Sequence, residues 1–181
     1  MALATNAKKF SVAYHANGGT GTLVDPNSPY FENSGWTPLA PGSAITKANS
    51  HFEGWNTAPD GSGTSYAVGQ NYVIAGNVDL YAQWSAKQYA VSYVSSDAGK
   101  GVVAGGPEVV EHGSKPTMTG VTVTPNTGFE PSSPAWSYSM AKNDGSFTND
   151  TTNNPANVAV TGDTVFMALF KEKANVSLAY A

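Results

Sequence analysis

Three segments of the chain share one alternating pattern of large apolar and small residues. They are residues 10–14 (FSVAY), 89–93 (YAVSY) and 176–180 (VSLAY). A period of two is typical of a β-strand that buries one face. In the first segment Phe10, Val12 and Tyr14 would point the same way. We therefore predict a strand at each of the three positions.

A second pattern recurs near the end of each interval between these strands. Residues 80–84 (LYAQW) and 166–170 (FMALF) each follow a glycine at a similar distance, Gly76 and Gly162. Both read as closing strands with one buried face. The residues predicted to build the cores are Val12, Tyr14, Phe52, Trp55, Leu80, Trp84, Phe166 and Phe170.

The recurrence of both patterns predicts two tandem modules of about 80 residues each. We place module one at residues 8–86 and module two at residues 87–173. Residues 174–181 are either the opening strand of a further repeat or a C-terminal edge strand of module two. Gly, Pro and Asn clusters divide the chain into short pieces, and no segment keeps an apolar period of 3.6. The expected fold is mainly β, mostly antiparallel, with little helix.

Composition narrows the classes of partner. Charged residues are 12% of the chain and the formal net charge is −4, whereas nucleic-acid binding needs clustered Lys and Arg. The 181 residues include no cysteine, which excludes disulfides and thiolate metal sites. No apolar run reaches the ~20 residues needed to cross a bilayer. We therefore expect no nucleic-acid partner and no membrane span, and we expect a monomer.

Module one carries four further motifs in a characteristic order. They are residues 17–22 (NGGTGT), 52–57 (FEGWNT), 60–66 (DGSGTSY) and 77–84 (NVDLYAQW). Together with the opening strand they closely resemble the internalin B-repeat family, also called the Listeria–Bacteroides repeat. Module two resembles a divergent copy, because it keeps both strands but has residues 129–132 (FEPS) where the Gly-Trp strand stands. Trp136 or Tyr138 is expected to fill that gap.

The resemblance implies a fold and a setting. It implies small β-grasp-like modules, strung in tandem in exported bacterial surface proteins that are often anchored to the cell wall. Such repeats serve as stalks, spacers or adhesive segments, with adjacent repeats of the same chain as neighbours. The implied function is a non-catalytic stalk or spacer segment that contributes to adhesion.

Candidate catalytic chemistry is sparse in this sequence. His15, His51 and His112 are scattered and show no metal-ligand spacing, and the acids form no constellation. We predict no catalytic residue, no metal site and no cofactor. Residues 60–63 (DGSG) could form a calcium loop, but a plain hairpin turn needs fewer acids and is favoured.

Aromatic residues suggest the alternative function of a carbohydrate- or host-receptor-binding module. Tyr30 lies near Trp36 in the sequence, and Trp136 lies near Tyr138. Exposed rings could stack on sugars of a glycan or contact a host-surface protein. The same residues could equally belong to half-buried strands of the two cores. Burial of the two indole rings distinguishes these interpretations.

Covalent cross-links are a further possibility that the sequence leaves open. Lys9, Lys87 and Lys173 stand near strand starts, and Asn77 and Asn157 lie near the closing strands. A lysine joined to an asparagine by an isopeptide bond would release one ammonia, so the intact mass of the chain tests for each link.

Overall fold

The computed structural model of the chain describes residues 7–142 and 144–174. The chain divides into two compact units on either side of the Ala86–Lys87 bond. Strands contain 49% of the described residues, which confirms the mainly β class. The only helical element among the described residues is a 3-10 turn at Pro155–Asn157, so the β-grasp-like detail is not confirmed. The expected strand at residues 176–180 lies outside the described residues.

The described part of unit one contains ten short strands that alternate with Gly- and Pro-containing turns. They are β1 (Lys9–Phe10), β2 (Val12–His15), β3 (Thr20–Gly21), β4 (Tyr30–Phe31), β5 (Gly35–Trp36), β6 (Ile45–Thr46), β7 (Ser50–Asn56), β8 (Ser65–Tyr66), β9 (Tyr72–Val73) and β10 (Val78–Ala86). Four of them form the main sheet in the order β2-β10-β7-β8.

Over residues 87–142 and 144–174, unit two contains seven strands, several of them longer. They are β11 (Gln88–Ser95), β12 (Gly101–Ala104), β13 (Glu108–Glu111), β14 (Thr122–Pro125), β15 (Phe129–Ala141), β16 (Phe147–Thr152) and β17 (Thr164–Glu172). The main sheet has the order β13-β11-β17-β15-β16. Apart from the outer strand β13, this order repeats that of unit one.

In each unit the opening strand lies beside the closing strand and runs parallel to it. β2 pairs with β10, and β11 pairs with β17. The other strand pairs among the described residues are antiparallel, as the sequence predicts. A parallel pair needs a long crossover, and here the whole interior of the module forms that crossover.

The core of unit one lies on one face of its main sheet. Strand alternation turns Val12 and Tyr14 of β2 and Leu80 of β10 inward, and all three are buried. Trp55 is 1% exposed, and its ring meets Tyr14 edge-on at 4.8 Å between centroids. Phe52 and Trp84 are partly buried and pack against this cluster. Burial of an indole ring contributes several kcal/mol to folding. That is a large share of the ~5–15 kcal/mol by which a whole domain is stable.

The core of unit two uses the corresponding positions of its own strands. Phe166 is fully buried and Phe170 is buried, each on the inner face of β17. Trp136 stands opposite Ala168 in the β15–β17 ladder, as Trp55 stands opposite Ala82 in the β7–β10 ladder. Both alanines are buried. Trp136 therefore occupies in unit two the place that Trp55 occupies in unit one.

Candidate functional site

Trp36, a candidate ligand-binding residue, lies in the core of unit one. Its side chain is 3% exposed, and its ring packs against Tyr66 and Tyr72 with centroids 5.4 and 5.9 Å away. A ring that is buried on both sides offers no face on which a sugar could stack.

Tyr30 lies beside Trp36 at the wall of a shallow pocket of about 290 Å³. The Tyr30 hydroxyl donates to Oδ2 of buried Asp25 at 2.6 Å, and Asp25 also accepts the backbone N–H of Asn27. Burial, together with this bond and the charge of Asp25, raises the pKa of Tyr30 to about 12. The structure thus brings Tyr30 and Trp36 together, but the Tyr30 hydroxyl already donates a hydrogen bond within the unit, to Asp25.

The aromatic pair of unit two is also turned into the protein. Trp136 is 5% exposed and meets Tyr93 edge-on at 6.0 Å between ring centroids. Tyr138 is half-buried against Phe166 at 5.4 Å, and burial raises its pKa, helped by the charge of Asp150. As in unit one, the rings serve the packing of the unit.

Three of the residues considered for metal binding and cross-linking, Asp60, Lys9 and Asn77, contact other groups in unit one. The described part of the chain holds no group of three or more His, Cys, Asp or Glu side chains that could bind a metal. Asp60 accepts the N–H and hydroxyl of Ser62, and these bonds lower the pKa of Asp60 in a turn. The Lys9 ammonium lies 4.4 Å from the Phe31 ring centroid, and the Asn77 carboxamide oxygen accepts from Ser11.

A different arrangement does emerge where the opening and closing strands of unit one meet. The parallel register runs from Val12 opposite Val78 to His15 opposite Tyr81. The backbone N–H of Val78 donates to the Ser11 carbonyl at 2.9 Å, one step before the ladder. We call residues 11–17 together with residues 77–84 the terminal clamp of unit one.

Side chains extend the terminal clamp beyond both ends of the backbone ladder. At the lower end, Asn77 Oδ1 accepts the Ser11 N–H at 2.9 Å. At the upper end, the Asn17 amide donates to the Ala82 carbonyl at 2.8 Å. The Trp84 indole N–H donates to the carbonyl of residue 16 at 2.9 Å. Each of these bonds joins the first segment of the unit to the last.

A side-chain hydrogen bond crosses the terminal clamp on the outer face of the sheet. His15 Nε2 lies 2.8 Å from Asp79 Oδ1, and the His15 ring stacks on Tyr81 at 4.5 Å between centroids. Both side chains are solvent-exposed, so this contact adds little compared with the backbone ladder.

Unit two has a terminal clamp of its own, formed by residues 90–96 and 163–168. The parallel register runs from Val91 opposite Thr164 to Ser95 opposite Ala168. Asp163 Oδ1 accepts the Ala90 N–H at 2.9 Å, as Asn77 accepts the Ser11 N–H in unit one. The Ser96 N–H donates to the Ala168 carbonyl at 3.0 Å.

The sequence showed both strands of each terminal clamp but not their pairing. Alternation fixes which face of a strand is buried and says nothing about which strand lies next to it. One signal was available: a short carboxamide or carboxylate, Asn77 or Asp163, stands shortly before each closing strand.

Comparisons with known proteins bear on unit one. Residues 10–83 match the profile of the Listeria-Bacteroides repeat domain. No curated protein and no solved structure matches the chain. The matched domain suggests a repeat segment of an extracellular or surface protein, and such repeat families are typically non-catalytic. No helix in the described residues is both long enough and apolar enough to cross a membrane. The match covers all but the last residue of the motifs on which the resemblance rested, and it supports the Listeria-Bacteroides repeat family for residues 10–83.

Proposed function

We propose that the chain is a non-catalytic stalk segment of a bacterial cell-surface protein anchored at the cell wall. Its task is to hold a neighbouring domain away from the wall while tension acts along the chain. The observation that carries this proposal is the terminal clamp, in which the entry and exit strands of each unit run parallel and side by side.

The geometry of the terminal clamp determines how a unit responds to tension. Because β2 and β10 are parallel, the start of β2 and the end of β10 lie at opposite ends of their ladder. Tension on the two ends of the chain therefore slides the strands past each other and loads all the bonds between them at once. A hairpin pulled from its open end would instead break its bonds one after another. Forced unfolding is governed by the unfolding rate, which this parallel arrangement lowers.

We propose that unit two is a divergent repeat with the same mechanical role. Support comes from its repetition of the strand order, with β11, β17, β15 and β16 in the places of β2, β10, β7 and β8. The adjacent strands β10 and β11 are separated by Lys87 alone, so tension on one terminal clamp passes directly along the backbone to the next.

Single-molecule pulling tests the proposal on unit one, because the chain has no cysteine and accepts handles at chosen positions. One handle is placed at Lys8→Cys before β2, and the other at Ala86→Cys at the end of β10. This pair slides the two strands, and we expect a high unfolding force with a single abrupt rupture.

The matched control moves only the second handle, to Gly76→Cys just before β10. An added Cβ at Gly76 meets no atom within 4 Å, so this variant should fold normally. Pulling from Lys8 and Gly76 peels the ladder from one end and should require a clearly lower force. Equal forces for the two handle pairs would contradict the proposed role of the terminal clamp.

A further inference from the structure

The outer face of the main sheet in unit two is apolar. Val165 and Met167 alternate with the buried residues of β17 and are 39% and 38% exposed. Val94 stands opposite Met167 in the ladder and is also exposed. On the other side Phe147, at the start of β16, is 59% exposed. Soluble proteins usually keep such contiguous apolar area for contact with a partner.

The strand β16 forms an edge of this sheet beside the apolar face. Among the described strands its neighbour is β15, and it is the last in the order β13-β11-β17-β15-β16. Its six residues, FTNDTT, include no proline and no lysine, and its register with β15 is regular. Natural edge strands are usually shortened, bulged or charged against pairing. The corresponding edge in unit one, β8, is only two residues long.

The open side of β16 presents the backbone groups of alternate residues. The N–H of Thr151 donates to the side chain of Asp150 at 2.7 Å, which places it on the side away from β15. In an antiparallel pair the hydrogen-bonding direction alternates along the strand. The backbone groups of Phe147 and Asn149 therefore also face the open side.

We propose that β16 pairs with β16 of a second copy of this chain, antiparallel and centred on Asn149. In this register Asn149 stands opposite Asn149 of the second copy, and Phe147 stands opposite Thr151. Each Asp150 carboxylate then faces a Thr148 hydroxyl, which can donate to it. About four backbone hydrogen bonds would join the two sheets while each Thr151 N–H stays on Asp150, and two more form if it turns to the Phe147 carbonyl of the second copy.

Charge favours this register over the one centred on Asp150. Asp150 is the only charged residue of the strand. Shifting the centre by one residue would place Asp150 opposite Asp150, and like charges directly opposite are destabilising. The pairing would also place the exposed Phe147 ring of each copy beside Thr151 of the second copy, on the outer face of the joined sheets. This proposal replaces the monomer expected from the sequence with a self-associating chain, and it does not depend on the stalk function.

Oligomeric mass and site-specific cross-linking test the proposal on the whole chain. Analytical ultracentrifugation over a range of concentrations should show a reversible shift from the 18.8 kDa chain to twice that mass. In a chain without cysteine, Asn149→Cys places two thiols at the centre of the paired strands, where diamide should link them. Thr151→Cys is the matched control, because residue 151 faces residue 147 of the second copy and should not cross-link.

A pair of lysine variants separates edge pairing from stacking of the two apolar faces. Asn149→Lys sets like charges opposite each other across the pairing and should abolish the dimer. Ser139→Lys adds the same charge on the adjacent central strand, opposite Asn149, and should leave edge pairing intact. Circular dichroism checks that both variants fold. The proposal would be overturned if Ser139→Lys abolished the dimer and Asn149→Lys did not. Equal cross-linking of the two cysteine variants, or a mass that stays monomeric at every concentration, would also overturn it.

Discussion

The two units share a strand order and differ most on the outer face of the closing strand. In β10 the outward residues are Asp79, Tyr81 and Gln83, whereas the corresponding outward residues of β17 are Val165, Met167 and Leu169. The inward residues remain apolar in both units, with Leu80 and Ala82 matched by Phe166 and Ala168. Packing restricts the inward positions to apolar residues, while the outward positions tolerate either polar or apolar residues. The difference therefore marks where the two units meet different surroundings.

The turn after the core tryptophan is a second contrast. In unit one Asn56 is 1% exposed, and its side chain holds the following loop: its oxygen accepts the N–H groups of Ala58 and Gly63, and its amide donates to the Gly61 carbonyl. A Cβ at Gly63 would lie 2.3 Å from Thr57 Oγ1, so the loop has no room for a side chain there. In unit two Ser137 follows Trp136, and a regular hairpin replaces the loop.

The largest expected effect comes from removing the two core indoles. Trp55→Ala should destabilise unit one by about 3–5 kcal/mol, and Trp136→Ala should destabilise unit two by a similar amount, because each leaves a large cavity beside a buried alanine. Hydrogen exchange read by mass spectrometry reports the two units separately. If Trp136→Ala left protection in unit two unchanged, its equivalence with Trp55 would be wrong.

A milder pair of variants tests the contribution of the indole hydrogen bond. Trp55 Nε1 donates to the Leu39 carbonyl at 2.8 Å, and Trp55→Phe leaves that partly buried carbonyl without its donor. We expect Trp55→Phe to cost about 1–3 kcal/mol beyond the change in packing. Trp136→Phe, for which the described residues show no such bond, is the control.

Exchanging the residue after each tryptophan is expected to have the next largest effect. Asn56→Ser removes the buried amide that organises the loop and should destabilise unit one by about 2 kcal/mol. Ser137→Asn, on the half-exposed face of β15, should change the stability of unit two by less than about 0.5 kcal/mol. Chemical denaturation measures both, and equal effects would remove the contrast between the two turns.

Acid should weaken unit two through Glu108. Burial alone would raise the pKa of Glu108, but hydrogen bonds from the Tyr93 hydroxyl and from Thr117 and Met118 lower it overall. A lowered pKa contributes stability that is present above the unfolded value of about 4.3 and is lost as pH falls through the folded value. The melting temperature of unit two should therefore fall below about pH 4, and less so in Glu108→Gln.

The matched control for this pH dependence is Glu111→Gln, on the same strand but exposed. It should leave the acid transition of unit two as it is in the unchanged chain. Identical acid profiles for Glu108→Gln and the unchanged chain would show that the Tyr93–Glu108 bond does not set this dependence.

The smallest expected effect on stability comes from exchanging the outer faces. Val165→Asp copies the Asp79 position into unit two, and Asp79→Val makes the reverse change in unit one. Both positions are exposed, so each variant should change stability by less than about 0.5 kcal/mol. Binding of the dye ANS should fall for Val165→Asp and rise for Asp79→Val. A large loss of stability in Val165→Asp would show that its side chain is part of the core.

Much of the fold follows from local patterns in the sequence. Alternation at residues 10–14 and 80–84 predicts strands and their buried faces, and Asn, Gly and Pro clusters predict the turns, because both depend on neighbouring residues alone. The candidate ligand residues show the limit of this approach. Trp36 and Trp136 have the same local pattern whether they face a core or a ligand, and only the segments packed over them reveal burial.

The sequence alone thus determined the β class, the recurrence of two strand motifs and the similarity of residues 10–83 to the repeat family. Tertiary structure alone decided that β2 lies beside β10 and β11 beside β17, each pair parallel. It also decided that Trp136 has in unit two the position that Trp55 has in unit one, because Trp136 lies opposite Ala168. The physical reason is that strand pairing joins residues more than 60 positions apart through backbone groups, which every residue type carries. Side-chain order along the chain therefore cannot specify the partner of a strand.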